Sequence, residues 1–286
     1  MFLVSVYSVL YTWSIGSNAP VHANSHPPST ALQGAFSEHL QLLRAALNTP
    51  SLLTIATSFS FIPVRTPKEL ATCDALILPG GESTTISLIA ERSCLLEPLR
   101  DFVKVQQKPV WGTCAGMILL AERANRTKRG GQQLIGGLDV CVNRNHFGRQ
   151  VESFECVLEM PFLEGNLGFR SVFIRAPVVE SLLDEASSGA EPEPAAEEAQ
   201  VRAPHVTGWH RNPKEKVEIL ASLPATGEIH PTVPRGTIVA VRQGHVVGTS
   251  FHPELTGDVR MHRWWLGEVV RIITKRQASS GKMCDF

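Results

Sequence analysis

The sequence predicts an α/β domain built on a largely parallel sheet, and three observations point there. "CDALILPGG" (73–81) and "KPVWGTC" (108–114) are short continuous apolar runs ending in small residues, which suits strands buried on both faces. Each leads directly into a stretch with helical spacing, "STTISLIAER" (83–92) and "AGMILLAERA" (115–124). The strand pattern then returns late in the chain, in "GTIVAVRQGHVVGTSFHPEL" (236–255). Strand, glycine turn and helix in alternation mark a sheet covered by helices. Ligands on such sheets bind at the carboxyl ends of the strands, so the two glycine turns should face one common site.

The remaining elements follow in order. Residues 1–30 are apolar at first and then rich in Ser, Asn and Pro, which reads as a poorly ordered segment. "SEHLQLLRAAL" (37–47) has helical spacing with Ser37 as N-cap, and "LLEPLRDFVKV" (95–105) is a further helix. "GGLDVCVNRNHFGRQVESFECVLEM" (136–160) alternates and supplies strands or a hairpin-like excursion. The stretch 179–204 is rich in Glu, Ala, Pro and Ser with Arg202 as its only basic residue, a composition that predicts a disordered insertion. It does not divide two domains, because the strand pattern resumes after it. The last helix, "DVRMHRWWLGEVVRII" (258–273), precedes a polar tail, 274–286.

Composition excludes several classes. With 286 residues, 43% of them hydrophobic, the chain can bury a substantial core. Lys plus Arg equals Asp plus Glu at 27 each, so no excess of cations exists to neutralise nucleic-acid phosphates. No apolar run reaches membrane-spanning length. "MFLVSVYSVLYTWSIGSNA" resembles a signal peptide only in outline: the first Lys or Arg is Arg44, and Ser, Tyr and Thr interrupt the apolar stretch. Cys73, Cys94, Cys114, Cys141, Cys156 and Cys284 show no C-x-x-C spacing, and reduced thiols in a cytoplasmic protein are expected. Neither a metal site nor a cofactor is expected.

The chemistry concentrates in Gly112-Thr113-Cys114-Ala115-Gly116. One residue at a sharp strand-to-helix turn between glycines has the geometry of a nucleophile elbow, where helix N-terminal amides favour a thiolate. The competing reading is a core cysteine beside a tight turn. A nucleophilic thiol needs a base, and the base an orienting group. His252 and Glu254 in "SFHPEL" supply both: two apart at a strand end, their side chains point the same way, and Pro253 stiffens the link. Alone, H-x-E is a weak signal and reads better as a surface pair; it gains weight from following a buried strand in the same fold as the elbow. His146 and His245 sit in loop-like contexts and His39 on a helix face, each without a comparable carboxylate partner.

P-G-G-E-S-T (79–84), G-T-C-A-G (112–116), R-N-x-F-G-R-Q-x-x-S-F-E (144–155) and H-P-E-L (252–255), in this order, resemble the glutaminase subunit of the two-component pyridoxal 5′-phosphate synthase, a class I (triad) glutamine amidotransferase. The resemblance covers Leu32–Pro177 and His205–Ile273. It implies a three-layer, flavodoxin-like fold over 31–273, with Cys114 attacking the glutamine side-chain amide, His252 moving the proton and Glu254 orienting His252. It further implies an oxyanion hole from the backbone amides of Gly80, Gly81 and Ala115. Gly81, Glu82, Ser83, Arg144, Ile174 and Arg175 would line the glutamine site. Without the resemblance, Glu82 reads as a helix first-turn acid and Arg175 as a surface cation, and Arg149 could serve structure or a partner interface. The expected partner is a (β/α)8-barrel synthase subunit that receives the ammonia, with the loop Leu32-Gln33-Gly34 near the oxyanion site and the partner surface. Two other readings stay in view: another class I amidotransferase subunit, and a binding subunit without catalysis.

One feature departs from that family. "NSHPPSTALQG" (24–34) stands where an apolar strand should precede the Leu32-Gln33-Gly34 loop, and proline is poorly tolerated in a central strand. Either residues 2–11 fill the slot through a long loop, or the sheet lacks a strand, or the N-terminus reflects an alternative coding start. The last is the expectation taken forward.

Overall fold

The computed structural model describes residues 2–7, 36–48, 59–125, 132–144, 153–165, 167–183, 200–209, 212, 214–224 and 235–281. Five parallel strands form the half of the sheet that carries the site. They are β1 (Phe2–Tyr7), β2 (Phe59–Val64), β3 (Ala75–Leu78), β4 (Val110–Thr113) and, far along the chain, β13 (Val246–Thr249). Their order is β2-β1-β3-β4-β13, the doubly wound order in which the connection reverses direction beside the first strand.

Residues 2–7 therefore fill the slot that 24–34 could not. Strand β1 pairs in parallel with β2, Val4 opposite Phe61, and with β3, Val4 opposite Ala75. The segment 1–30, expected to be poorly ordered, thus begins with a central strand. Its proline-rich remainder, together with Leu32, Gln33 and Gly34, lies outside the described residues.

Beyond β13 the sheet becomes mixed. Strand β12 (Ile238–Gln243) runs antiparallel to β13 and to β11 (Glu218–Ser222), and β9 (Val178–Leu182), β6 (Leu138–Asn143), β5 (Ala121–Asn125) and β10 (Gln200–Arg202) continue it. Strands β7 (Ser153–Leu158) and β8 (Phe169–Ile174) form a separate antiparallel pair, the excursion expected from 136–160.

Helices cover both faces. On one lie α1 (Phe36–Leu47) and α6 (Arg260–Gly281), packed with Ala75, Ile77 and Trp111. On the other lie α2 (Pro67–Ala71), α3 (Ser83–Arg92), α4 (Leu96–Arg100) and α5 (Ala115–Leu120), packed with Leu76, Leu78 and Val110. Successive residues of β3 and β4 thus enter opposite cores, which is why their sequences are apolar throughout rather than alternating.

Four local expectations are corrected. Helix α1 starts at Phe36, so Ser37 lies within its first turn and its hydroxyl donates to Glu38 instead of capping. The helix after Cys114 stops at Leu120, and Ala121–Asn125 is strand β5. Tertiary contacts override helical propensity there: Glu122 accepts from the Gly137 amide at 2.6 Å and pairs with the buried Lys104 ammonium at 2.9 Å, which holds the chain extended beside β6. The acidic stretch does not begin at 179, because Val178 and Val179 are buried in β9, and Gln200–Arg202 form β10; residues 184–199 lie outside the described residues. The last helix continues past Ile273 to Gly281 and takes in most of the polar tail.

Candidate active site

The site forms where β3 and β4 end. Cys114 follows the last residue of β4 with φ +49° and ψ −105°, far from the regions an L-residue prefers. Its amide donates to the Thr249 carbonyl at 2.7 Å, which ties the strained residue to β13. The flanking glycines are demanded by close approach. A Cβ at Gly116 would overlap the Leu78 carbonyl, and one at Gly112 would overlap the Gly116 backbone. Strand β4, the end of β3 and the start of α5 therefore touch through bare backbone, with Cys114 at the turn between them and its side chain buried. This is the elbow that the G-x-C-x-G spacing predicts.

His252 comes from the segment after β13. Its amide donates to the Val172 carbonyl of β8 at 2.8 Å, so the small second sheet helps to place the base. Pro253–Leu255 is a 3-10 turn, and the approach of His252 to Glu254 arises from that turn rather than from strand alternation. His252 Nδ1 lies 2.7 Å from Glu254 Oε1, and both side chains are buried. Burial opposes the imidazolium, but hydrogen bonds to Cys114 and Glu254 and the charge of both outweigh it, so the His252 pKa is pushed up to about 10. At neutral pH a proton therefore rests on His252, facing the Cys114 sulfur. Burial likewise disfavours the Glu254 carboxylate, but His39 and the bond from His252 hold its carboxyl below the usual carboxylate range.

Gly80 closes the site from the β3 side. A Cβ there would overlap His252 Cε1 and lie 3.1 Å from Nδ1 and 3.3 Å from the Cys114 Cβ. Gly81, next to it, has φ +147°. The Glu82 carboxylate is engaged by its own helix: it caps α3, accepting from the Thr84 and Thr85 amides at 3.0 and 2.7 Å and from the Thr85 hydroxyl at 2.6 Å. Glu82 thus stands one position before the helix, as its N-cap, rather than within the first turn. Arg144 reaches the same turn, donating to the Ser83 and Thr84 hydroxyls at 2.9 and 3.1 Å, with Glu82 3.9 Å away. On the other side the Ile174 carbonyl stands 3.9 Å from Cys114 Sγ, and Arg175 follows it with φ +44°. Cys114, His252, Glu254, Gly80, Gly81, Ser83, Ala115, Arg144 and Ile174 are thereby gathered from five separate stretches of chain. His146 and Arg149 lie outside the described residues.

Comparison with known proteins shows the family. The sequence matches the SNO glutamine amidotransferase family over residues 29–191 and 193–271. The chain belongs to that family. It is 40% identical over 256 residues, 88% of this chain and 89% of the relative, to a probable pyridoxal 5′-phosphate synthase subunit PDX2 of Arabidopsis thaliana. It is also 40% identical over 83% of its length, and 96% of the relative's, to the pyridoxal 5′-phosphate synthase subunit PdxT of Herpetosiphon aurantiacus. A solved glutamine amidotransferase structure superposes with a TM-score of 0.54 at 36% identity, covering 84% of this chain and 96% of that one. The α/β fold of this chain is the flavodoxin-like class I amidotransferase architecture. Among the described residues, no helix is long and apolar enough to cross a membrane.

Sequence reasoning missed one part of the site. His39 does lie on a face of helix α1, but it is fully buried there, and its Nε2 lies 3.3 Å from Glu254 Oε2. A carboxylate partner more than two hundred residues away leaves no local signal. The "EH" on the apolar side of α1 and the "MH" of α6 were the only clues, and both read as ordinary helix positions.

Proposed function

We infer that this chain is a glutaminase, the amidotransferase subunit of a two-component pyridoxal 5′-phosphate synthase. It hydrolyses L-glutamine to L-glutamate and ammonia and passes the ammonia to a synthase partner. The observation that carries the reading is the line Cys114–His252–Glu254, with the nucleophile in a strained turn and a proton held on the base beside it. The glutaminase domain comprises residues 31–273 together with strand β1.

The Cys114 sulfur adds to the side-chain amide carbon of glutamine, and the carbonyl electron pair moves onto oxygen. The Ala115 amide, at the first turn of α5 and so without an acceptor within the helix, and the Gly80–Gly81 turn are the donors to that oxyanion. Each such donor lowers the barrier by about 3 kcal/mol. His252 delivers its proton to the amide nitrogen, the carbon–nitrogen bond breaks, and ammonia leaves a glutamyl thioester. Water then adds to the thioester with His252 as base, releasing glutamate and restoring the sulfur. Glu254 fixes the ring so that Nε2 stays turned to the reaction.

Gly81, Glu82 and Ser83 form one wall of the glutamine pocket, and Ile174 and Arg175 the opposite one. The guanidinium groups of Arg144 and Arg175 are suited to the substrate carboxylate. The partner is a (β/α)8-barrel synthase, with Gln33 and Gly34 near its docking surface, which keeps ammonia from being lost to water. The test is glutamate release measured with and without that barrel: activity should appear in the complex and vanish in Cys114→Ala. A complex that releases no glutamate, or a variant as active as the parent, would overturn the reading. A binding subunit without catalysis is disfavoured by the filled β1 slot and the assembled triad. A different class I partner would be revealed if the chain failed to co-purify with the barrel.

A further inference from the structure

Behind Glu254 lies a second layer of polar groups that the glutaminase reading leaves without a role. Glu254 uses Oε1 for His252, whereas Oε2 is buried and makes no hydrogen bond among the described residues. The groups facing Glu254 are His252, from the segment after β13, and His39, from α1; His39 in turn faces His262 of α6. His39 Nε2 stands 3.3 Å from Glu254 Oε2 and 3.3 Å from the Thr113 hydroxyl, the residue just before Cys114. His39 Nδ1 lies 2.9 Å from His262 Nε2. Trp111 packs edge-on against both rings, with centroids 5.6 and 5.2 Å away, and all three side chains are fully buried.

Only one arrangement of protons suits these contacts. Both histidines are completely buried, and burial drives the pKa of each down to about 3, so both rings are neutral and each carries one N–H. A hydrogen on His39 Nδ1 would leave the Nε2 lone pair against a carboxylate oxygen and would place a buried N–H on His262 Nδ1, an atom with no partner among the described residues. A hydrogen on His39 Nε2 instead meets the Thr113 hydroxyl oxygen and presents its positive edge to Glu254 Oε2 3.3 Å away, and His262 Nε2–H donates to His39 Nδ1. We assign the second arrangement.

We propose that His39, with its tautomer fixed by His262, is a positioning residue that holds the Glu254 carboxylate from behind and so keeps it ionised and aimed at His252. The carboxylate can rotate about its last bond and swing Oε1 away from the base; the His39 Nε2–H edge, bonded to Thr113 and packed 3.3 Å from Oε2, restrains that rotation by contact and by its positive polarity. The donor also favours the charged form, which a buried carboxylate without it would lose at higher pH. The inference rests on the glutaminase reading for its kinetic test, but the orientation of His252 has a readout of its own.

The experiment uses the full chain in complex with the barrel partner. Gln places an amide N–H near the position of Nε2, so His39→Gln keeps a donor; His39→Phe and His39→Met fill the space without one, and the flexible Met serves if Phe does not fold. In the non-donating variants kcat should fall by about tenfold or more with the KM for glutamine within about twofold. The acid limb of the rate profile should move upward by about one pH unit, and His39→Gln should restore the limb. Separately, the rate of iodoacetamide alkylation at Cys114, read by mass spectrometry of its peptide, should show the same upward move of its half-maximal pH in the non-donating variants. Parental profiles in both assays for Phe or Met, or a loss of active fraction without any move of the limb, overturn the proposal. If the parent complex releases no glutamate, the glutaminase reading falls, while the alkylation edge still decides the role of His39.

Discussion

Gly80 and His252 are in such close contact that no side chain fits between them: a Cβ at Gly80 would overlap His252 Cε1 and press on the Cys114 Cβ at 3.3 Å. One hydrogen in place of a methyl group thus sets the distance between base and nucleophile. Gly80→Ala should leave the fold intact, because the residue lies in the turn between β3 and α3, yet displace the ring. A displacement on the scale of an ångström costs about a hundredfold in rate. Steady-state glutamate release beside a thermal melt checks this: kcat should drop by about that factor with little change in Tm.

The strain at Cys114 predicts a trade of activity against stability. Its left-handed φ with ψ −105° costs on the order of 1–3 kcal/mol, which glycine would relieve. Against that, glycine has about 1 kcal/mol more backbone entropy to lose on folding. Cys114→Gly should therefore abolish turnover while unfolding in urea at a midpoint no lower than that of Cys114→Ala. A midpoint well below that of Cys114→Ala would show that the turn carries no such strain.

Glu82 carries the start of α3. Removing its carboxylate in Glu82→Ala should destabilise the protein by about 1 kcal/mol, and Glu82→Ser, which can still cap, should recover most of it. Denaturant midpoints of the two variants distinguish capping from any effect on glutamine binding, which would appear instead in KM.

The buried histidines make stability depend on pH in both directions. His39 and His262 have pKa values lowered to about 3 from an ordinary 6.5, so on acidification the unfolded chain takes up protons first. Their contribution is complete above the unfolded value and is lost as pH falls toward 3, costing about 2 kcal/mol per histidine at pH 5. His252 has the opposite sign: raised to about 10, it stabilises fully below 6.5 and loses its contribution as pH climbs through 10. Denaturant unfolding at pH 7.5 and pH 5 should show a smaller acid loss in His262→Phe than in the parent.

The parallel half of the fold was legible because buried parallel strands write themselves as uninterrupted apolar runs, as in Ala75–Leu78, and because a nucleophile elbow needs glycines on both sides of Cys114. The helix after Cys114 was legible, but its end at Leu120 was not. The segment "AERAN" favours helix locally and becomes β5 only because Glu122 is held by Lys104 and Gly137.

Sequence alone determined the α/β class and the glycine turns at the strand ends, and it singled out Cys114, His252 and Glu254 as candidates. These features are local: each depends on residues within a few positions of one another. Only the tertiary structure decided which segment fills the slot beside β3, how Glu254 reaches His252 through a 3-10 turn, and that His39 and His262 stand behind that carboxylate. Those facts depend on elements far apart in the chain packing against each other, and no spacing rule encodes a contact between a first helix and a last one.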